Sequence, residues 1–144
     1  MNSADTQADL YWQLMQLAVR TRHDLARIAE KEYGLTGPQM HTLCLIQPDA
    51  PAAMNTLSCQ MACDASNITG IADRLSAHGY IERRDDPTDR RVKVMVLTPK
   101  GVAMRQKIMS ELMGFMPGSA DNLTSAETAM LQELLAKVLL PPRQ

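Results

Sequence analysis

Residues 80–97 interrupt an otherwise helical hydrophobic pattern with the features of a β-hairpin. Three valines, at positions 92, 94 and 96, alternate with other residue types as strand residues do. The preceding segment, residues 80–84, is short and contains some residues that favour β-strands. Between the two lie residues 85–89, Asp-Asp-Pro-Thr-Asp, which concentrate the residue types that form turns. The sequence therefore predicts two antiparallel strands joined by a tight turn.

Helical spacing of apolar residues on both sides of this hairpin predicts six helices. We expect them over residues 8–32, 37–47, 54–62, 65–78, from 99 to a break at Pro117-Gly118, and from 125 to 140. Capping residues precede four of them: Thr36 with Gln39, Asp64, Thr98 before Pro99, and Thr124 with Glu127. Gly34 and Gly79 are expected to end the first and fourth helices. The order α-α-α-α-β-β-α-α predicts a mainly α protein with a small β-hairpin, and the scarcity of aromatic residues agrees with it.

Composition places broad limits on the class of protein. The length of 144 residues fits one domain, and an apolar content of 45% is ordinary for a folded chain. A net charge of −1 neither supports nor excludes nucleic-acid binding, since only the contacting surface must be basic. No apolar run approaches the roughly 18 residues that cross a bilayer, and the N-terminus lacks the basic region and cleavage site of a secretory signal. We therefore expect a cytoplasmic protein with reduced cysteines and no membrane partner.

The sequence shows none of the short motifs that mark common enzyme sites. It has no glycine-rich phosphate loop, no nucleophile elbow and no pair of carboxylates with a matching base. Asp85-Asp86 belongs to the predicted turn and is not a catalytic pair. We expect neither enzymatic activity nor a cofactor.

The third and fourth predicted helices lie a few residues apart and are followed directly by the hairpin. This is the order of a winged helix-turn-helix, in which the second helix enters the major groove of DNA. Residues of this helix that are not expected in the core are mostly polar: Ser66, Asn67, Thr69, Gly70, Asp73 and Arg74. Ser, Asn and Thr near a helix N-terminus can contact base edges or phosphates, and Gly70 permits close approach. The alternative is an amphipathic helix whose polar face contacts only solvent.

The predicted hairpin turn is strongly basic. Five cations surround it: Arg83, Arg84, Arg90, Arg91 and Lys93. Paired arginines at a hairpin tip can enter a minor groove, where a narrow width concentrates negative potential, and Asp89 could hydrogen-bond a guanidinium and hold it extended. The alternative is a solvated loop whose charges serve solubility. The position of the turn directly after the candidate recognition helix favours DNA contact.

Residues 57–101 resemble the MarR family of bacterial transcriptional regulators. The resemblance rests on five segments: Leu57-Ser58-Cys59-Gln60-Met61, residues 64–75, His78-Gly79-Tyr80-Ile81-Glu82-Arg83, residues 86–91 with Asp89-Arg90-Arg91, and Leu97-Thr98-Pro99-Lys100-Gly101. It implies that Ser66, Asn67, Thr69 and Gly70 face DNA, that Arg91 enters the minor groove and that Asp89 supports it, with Arg90 as a second candidate at the tip. Two departures are that Ala52-Ala53 replaces the usual Ser or Thr cap of the third helix and that Cys63 replaces a larger aliphatic residue.

The resemblance also implies how the chain is organised and what it binds. Residues 8–34 and 99–140 would form the dimerisation helices and residues 36–98 the winged helix-turn-helix, within one domain over residues 1–144. The expected function is a ligand-responsive repressor, a homodimer that binds double-stranded DNA at a pseudo-palindromic operator. A small aromatic or phenolic effector is expected between the two parts, with His23, Arg27 and His41 as polar anchors. The alternative function is a winged-helix module that binds proteins or small molecules without recognising DNA.

Cysteine and histidine residues offer two further hypotheses. Cys59 and Cys63 are four apart, which on a helix would place them side by side and make a redox switch conceivable. The simpler interpretation is that Cys44, Cys59 and Cys63 are small buried hydrophobic residues. His41 and Cys44 form a His-x-x-Cys pair, but too few further ligands accompany them for a metal site, and none is expected.

Overall fold

The structure, a computed structural model, describes residues 3–115 and 122–139, which fall into two compact units divided between Leu112 and Met113. The elements of the first unit are α1 (Ser3–Ile28), a π-helical turn (Ala29–Tyr33), α2 (Gly37–Leu45), β1 (Ala52–Ala53), α3 (Met54–Gln60), α4 (Ala65–Ala77), β2 (Ile81–Asp85), β3 (Lys93–Leu97) and α5 (Pro99–Phe115), whose last residues belong to the second unit. The mainly helical fold with a small antiparallel sheet is confirmed.

The core of the first unit forms where α3 and α4 pack against the sheet and α2 packs against α4. Its largest fully buried side chains are Leu35, Met40, Leu43, Ile46, Leu57, Ile68, Leu75, Ile81, Met95 and Ile108. On α4 the buried residues are Ile68, Ala72 and Leu75, spaced four and three apart on one face. Each fully buried aliphatic side chain contributes about 1.5–3 kcal/mol. Burial of this face fixes the rotation of α4, so its polar face points outward.

The sheet contains a strand that the sequence did not predict. Its order is β1-β3-β2, and Ala52 pairs with Met95 while Ala53 pairs with Val94. Two alanines carry no β signal of their own, so their pairing depends on β3, which lies some forty residues further along the chain. Ala53 also precedes α3 without a side-chain cap, as the sequence indicated.

The first helix differs from the prediction at both of its ends. The first helix begins at Ser3, before the expected residue 8, and its C-terminal turn is π-helical instead of α-helical. Gly34 ends it in the left-handed region at φ 64°, which confirms the expected stop. Thr36 then accepts from the Gln39 amide at 3.3 Å, and the Gln39 side chain accepts from the Thr36 amide at 3.0 Å, which confirms the first capping box.

The second unit contains α6 (Ser125–Leu139). Its capping box is confirmed, since Thr124 N–H donates to Glu127 Oε2 at 2.8 Å and Glu127 N–H donates to Thr124 Oγ1 at 3.3 Å. The predicted break at Pro117-Gly118 and the expected last residue, Leu140, lie outside the described residues. Within the described ranges, no helix is both long and apolar enough to span a bilayer.

Candidate nucleic-acid interface

The turn between α3 and α4 sets the start of the candidate recognition helix. The Ala62 amide donates to the Cys59 carbonyl at 3.1 Å and the Cys63 amide to the Ser58 carbonyl at 3.0 Å, the bonding pattern of a Schellman motif. Ala62 occupies the left-handed position of this motif at φ 48°, where glycine is usual. Asp64 then caps α4 by accepting from the Asn67 amide at 2.8 Å, as predicted.

Two candidate DNA-contacting side chains, Ser66 and Asn67, lie at the start of α4, and the Asp64 cap engages only the first of them. Ser66 Oγ donates to Asp64 Oδ1 at 2.8 Å, and hydrogen bonds from the Asn67 amide and the Ser66 hydroxyl lower the pKa of Asp64. The side-chain amide of Asn67 makes no hydrogen bond within the described part of the chain. It is therefore available to an external partner.

The structure brings all predicted residues of α4 to one exposed surface. Ser66, Asn67, Thr69, Gly70 and Arg74 are exposed. No atom lies within 4 Å of a Cβ built on Gly70, so the helix backbone is open to close approach there. We call these five residues the α4 face.

The tip of the hairpin is ordered by two aspartates. Asp86 Oδ1 accepts from the Thr88 amide at 2.7 Å and from the Asp89 amide at 3.2 Å, and hydrogen bonds from Thr88 lower the pKa of Asp86. Asp89 Oδ1 accepts from the Arg91 amide at 3.0 Å. This differs from the expectation that Asp89 holds a guanidinium, because its carboxylate stabilises the main chain of the turn instead.

This ordered turn exposes Arg90 and Arg91 without using their guanidinium groups in contacts of its own. Arg90 and Arg91 are exposed, and their guanidinium groups make no hydrogen bond or ion pair within the part of the chain that the structure describes. We call β2, β3 and residues 86–92 the wing.

Sequence reasoning gave Arg83 no individual role, yet the structure does. Arg83 Nη2 lies 2.8 Å from Asp73 Oδ1 and donates to the Thr69 carbonyl oxygen at 2.9 Å. The base of the wing is therefore adjacent to the α4 face. Strand alternation was the available signal, because it places Arg83 and Arg84 on opposite sides of β2.

A cleft of about 1080 Å³ opens between α1, α2 and the start of α4. His41 lines it, as predicted, together with Arg22, Leu25, Met61, Asp64 and Asn67. His23 and Arg27 are not among its lining residues. His23 Nδ1 lies 3.8 Å from Asp24 Oδ1, and Arg27 Nη2 lies 4.0 Å from the same oxygen. Arg22, and not the two expected side chains, therefore lines the cleft together with His41.

Cys59 and Cys63 do not form the pair that the alternative redox hypothesis requires. Cys59 is exposed on α3 and Cys63 is half-buried beyond the end of that helix, so the two do not share a helical face. Burial raises the pKa of the half-buried Cys44 thiol. The expectation that all three are buried is wrong for Cys59. No group of three or more potential metal ligands occurs among residues 3–115 and 122–139.

A helix-turn-helix with an outward polar face, followed by a basic hairpin, defines a winged helix-turn-helix transcriptional regulator. The sequence profile of the MarR family matches residues 35–93. The multiple antibiotic resistance protein MarR of Salmonella typhimurium is 32% identical over 111 residues, which cover 73% of this chain and 74% of that protein. The chain therefore belongs to the MarR family and is a DNA-binding transcriptional regulator.

Solved structures agree with this assignment. The transcriptional regulator BldR from Sulfolobus solfataricus superposes with a TM-score of 0.86 at 23% identity, covering 96% of this chain and 98% of that chain, a likeness of fold. A cysteine-to-serine variant of Escherichia coli MarR in complex with operator DNA gives a TM-score of 0.75 at 25% identity, covering 97% and 100%. Each of these two structures covers at least 96% of this chain, so the similarity extends beyond residues 57–101, on which the sequence resemblance rested.

Proposed function

We propose that this protein is a dimeric, ligand-responsive repressor, and not an enzyme, that inserts α4 into the major groove and the wing into the minor groove of a pseudo-palindromic operator. The observation that carries the proposal is the adjacency of the α4 face to the base of a wing whose tip presents Arg90 and Arg91. Binding to chromosomal DNA implies a cytoplasmic location.

The proposed DNA contacts come from α4 in the major groove and from the wing in the minor groove. Asn67, with its unoccupied amide, reads base edges, while Ser66 and Thr69 contact bases or phosphates nearby. Gly70 allows the helix backbone to approach the duplex, and Arg74 binds a phosphate. Arg91 enters the minor groove with Arg90 beside it, and Asp89 holds the turn that presents them.

Dimer formation is supported by apolar side chains that the described chain leaves exposed. On α1 these include Leu10, Tyr11, Trp12, Met15, Leu17 and Val19, and on α6 they include Met130, Leu131, Leu134, Val138 and Leu139. So many exposed apolar side chains on two helices exceed the singly scattered hydrophobic residues on the surface of a monomer. A twofold dimer would place two copies of α4 about one DNA turn apart, as a pseudo-palindrome requires.

An effector site is supported by the cleft beside α4. Arg22 and His41 supply cationic or hydrogen-bonding groups, and Leu25 and Met61 supply apolar surface, a combination that suits a small aromatic acid. Asn67 lines the same cleft and also belongs to the α4 face. A ligand bound there acts on DNA affinity only through its preference for one conformation, and a coupling of about 1–3 kcal/mol is typical.

The test is capture of genomic DNA by the purified protein, followed by sequencing of the retained fragments and footprinting. We expect a small set of fragments that share a pseudo-palindrome, protected on two half-sites about 10 base pairs apart. Sedimentation should show a dimer, and Leu134→Asp should shift it toward monomer. Retention of no specific fragment would instead favour a winged-helix module for protein contacts.

A further inference from the structure

Arg83 connects the wing to the α4 face through a single guanidinium group. It is the third residue of β2, and its Nη2 atom contacts both Asp73 Oδ1, at 2.8 Å, and the Thr69 carbonyl oxygen, at 2.9 Å. Thr69 and Asp73 are one helical turn apart on α4. The contact therefore spans the two elements that the proposed function sends into different grooves.

The neighbouring ion pair on β2 has no such reach. Arg84 Nη2 lies 2.8 Å from Glu82 Oε2, and both residues belong to the same strand. Side chains alternate along a strand, so this pair lies on the opposite face from Arg83. Exposed ion pairs contribute little to stability. The two ion pairs have the same N–O distance, and Arg83 differs from Arg84 in what it connects.

We propose that Arg83 is a positioning residue that fixes the angle between the wing and α4, so that Arg91 and Asn67 reach their grooves together. The wing tip extends about 15 Å beyond Arg83, and a swing of about 5° there displaces the tip by about 1 Å. The proposal rests on the proposed function, because it takes Arg91 and Asn67 as the DNA contacts.

Substitution of Asp73 tests this proposal, because positioning and electrostatics predict opposite changes in operator affinity. An acidic side chain near the DNA surface repels phosphates, so electrostatics alone predicts that Asp73→Ala tightens binding to every DNA sequence. Loss of positioning predicts weaker operator binding, with binding to random DNA unchanged or tighter. Alanine is the strongest helix former, so the substitution does not endanger α4.

The experiment is a double-mutant cycle on the genomic fragment that the wild-type protein captures. Wild type, Asp73→Ala, Arg91→Ala and the double variant are titrated on this fragment and on a random duplex of equal length. Glu82→Ala is the matched control, because it breaks a similar ion pair inside one strand. We expect Asp73→Ala to weaken operator binding at least about threefold and to reduce the cost of Arg91→Ala. Glu82→Ala should match wild type. Provided that Arg91→Ala weakens operator binding, unchanged or tighter operator binding in Asp73→Ala overturns the proposal.

A measurement without DNA separates this proposal from the proposed function. NMR order parameters of the amides of residues 84–92 in the free protein should fall in Asp73→Ala and stay unchanged in Glu82→Ala. If they fall while Arg91→Ala leaves operator affinity intact, the DNA contact of the wing fails and the positioning role stands. If they keep their wild-type values in Asp73→Ala and also in Arg83→Ala, which removes the hydrogen bond to the Thr69 carbonyl oxygen as well, Arg83 does not position the wing, whatever the affinities are.

Discussion

The backbone of Gly101 lies directly against the carbonyl group of Tyr80. A Cβ at residue 101 would lie 1.9 Å from the Tyr80 carbonyl oxygen and 2.9 Å from its carbon. The same oxygen accepts from the Thr98 amide at 3.0 Å, and Thr98 Oγ1 donates to the Gly79 carbonyl at 2.6 Å. The first turn of α5 is thereby fixed to the segment that joins α4 to the wing.

We therefore expect Gly101→Ala to destabilise the protein by about 3 kcal/mol or more, because the clash is with backbone that cannot move away cheaply. Thermal or urea unfolding measures the loss. Gly70→Ala is the control: it lies inside α4 with open space around its Cβ, and should raise stability by about 0.5–1 kcal/mol. Equal effects of the two substitutions would show that the contact at Tyr80 is not as tight as described.

Ala62 stores strain in the turn before α4. Its φ of 48° costs a residue with a Cβ about 1 kcal/mol or more, whereas glycine adopts it freely. Ala62→Gly should thus increase the free energy of unfolding by up to about 1 kcal/mol. Gly79→Ala, at φ 74°, should decrease it. A loss of stability in Ala62→Gly, measured by the same unfolding experiment, would contradict this explanation.

Local chemistry explains which elements the sequence predicted. The capping boxes at Thr36 and Thr124 and the Asp64 cap depend on residues three positions apart, so the sequence alone contains the signal. Strand β1 depends on pairing with β3, and no property of two alanines indicates it.

The candidate interface was likewise predictable where it depends on local sequence patterns, and not where it depends on contacts between distant residues. The α4 face followed from helical period and the wing tip from its cluster of turn residues and arginines. The partner of Asp89 did not, because a carboxylate in a turn can accept from an amide as well as from a guanidinium. Nor did the choice of Arg22 over Arg27 at the cleft, which depends on how α1 packs against α2.

Tyr33 predicts a dependence of stability on alkaline pH. Burial, together with the hydrogen bond of its hydroxyl to Glu111 at 3.2 Å, raises the pKa of Tyr33 from 10.0 to about 12. Above pH 10 the unfolded chain releases this proton while the folded protein keeps it. The stabilisation from Tyr33 is therefore complete below pH 10 and is lost as the pH rises toward 12.

Denaturant unfolding as a function of pH measures this effect. Tyr33→Phe keeps the ring in place but has no proton to lose, so its stability should fall less between pH 10 and 12 than that of wild type. Parallel curves for wild type and Tyr33→Phe would show that the hydroxyl does not titrate with folding.

The cleft predicts which residues respond to an effector. A salicylate-like acid should raise the thermal stability of the protein and weaken operator binding by about 5–150-fold at saturation. Arg22→Ala and His41→Ala should reduce both effects. His23→Ala should leave them intact, since its side chain is 79% exposed and lies beside Asp24. If no small aromatic acid changes either quantity, the cleft is not an effector site of this kind.

The central claim is that the wing binds DNA, and the salt dependence of operator binding tests it most directly. Wild type, Arg91→Ala and Asn67→Ala are titrated on operator and random DNA at several salt concentrations. Arg91→Ala should cost about 1–3 kcal/mol per half-site and flatten the slope of log affinity against log salt by about 2 for a dimer. Asn67→Ala should relax sequence preference more than it lowers affinity for random DNA. Operator binding by Arg91→Ala with wild-type affinity and an unchanged salt slope would contradict the claim.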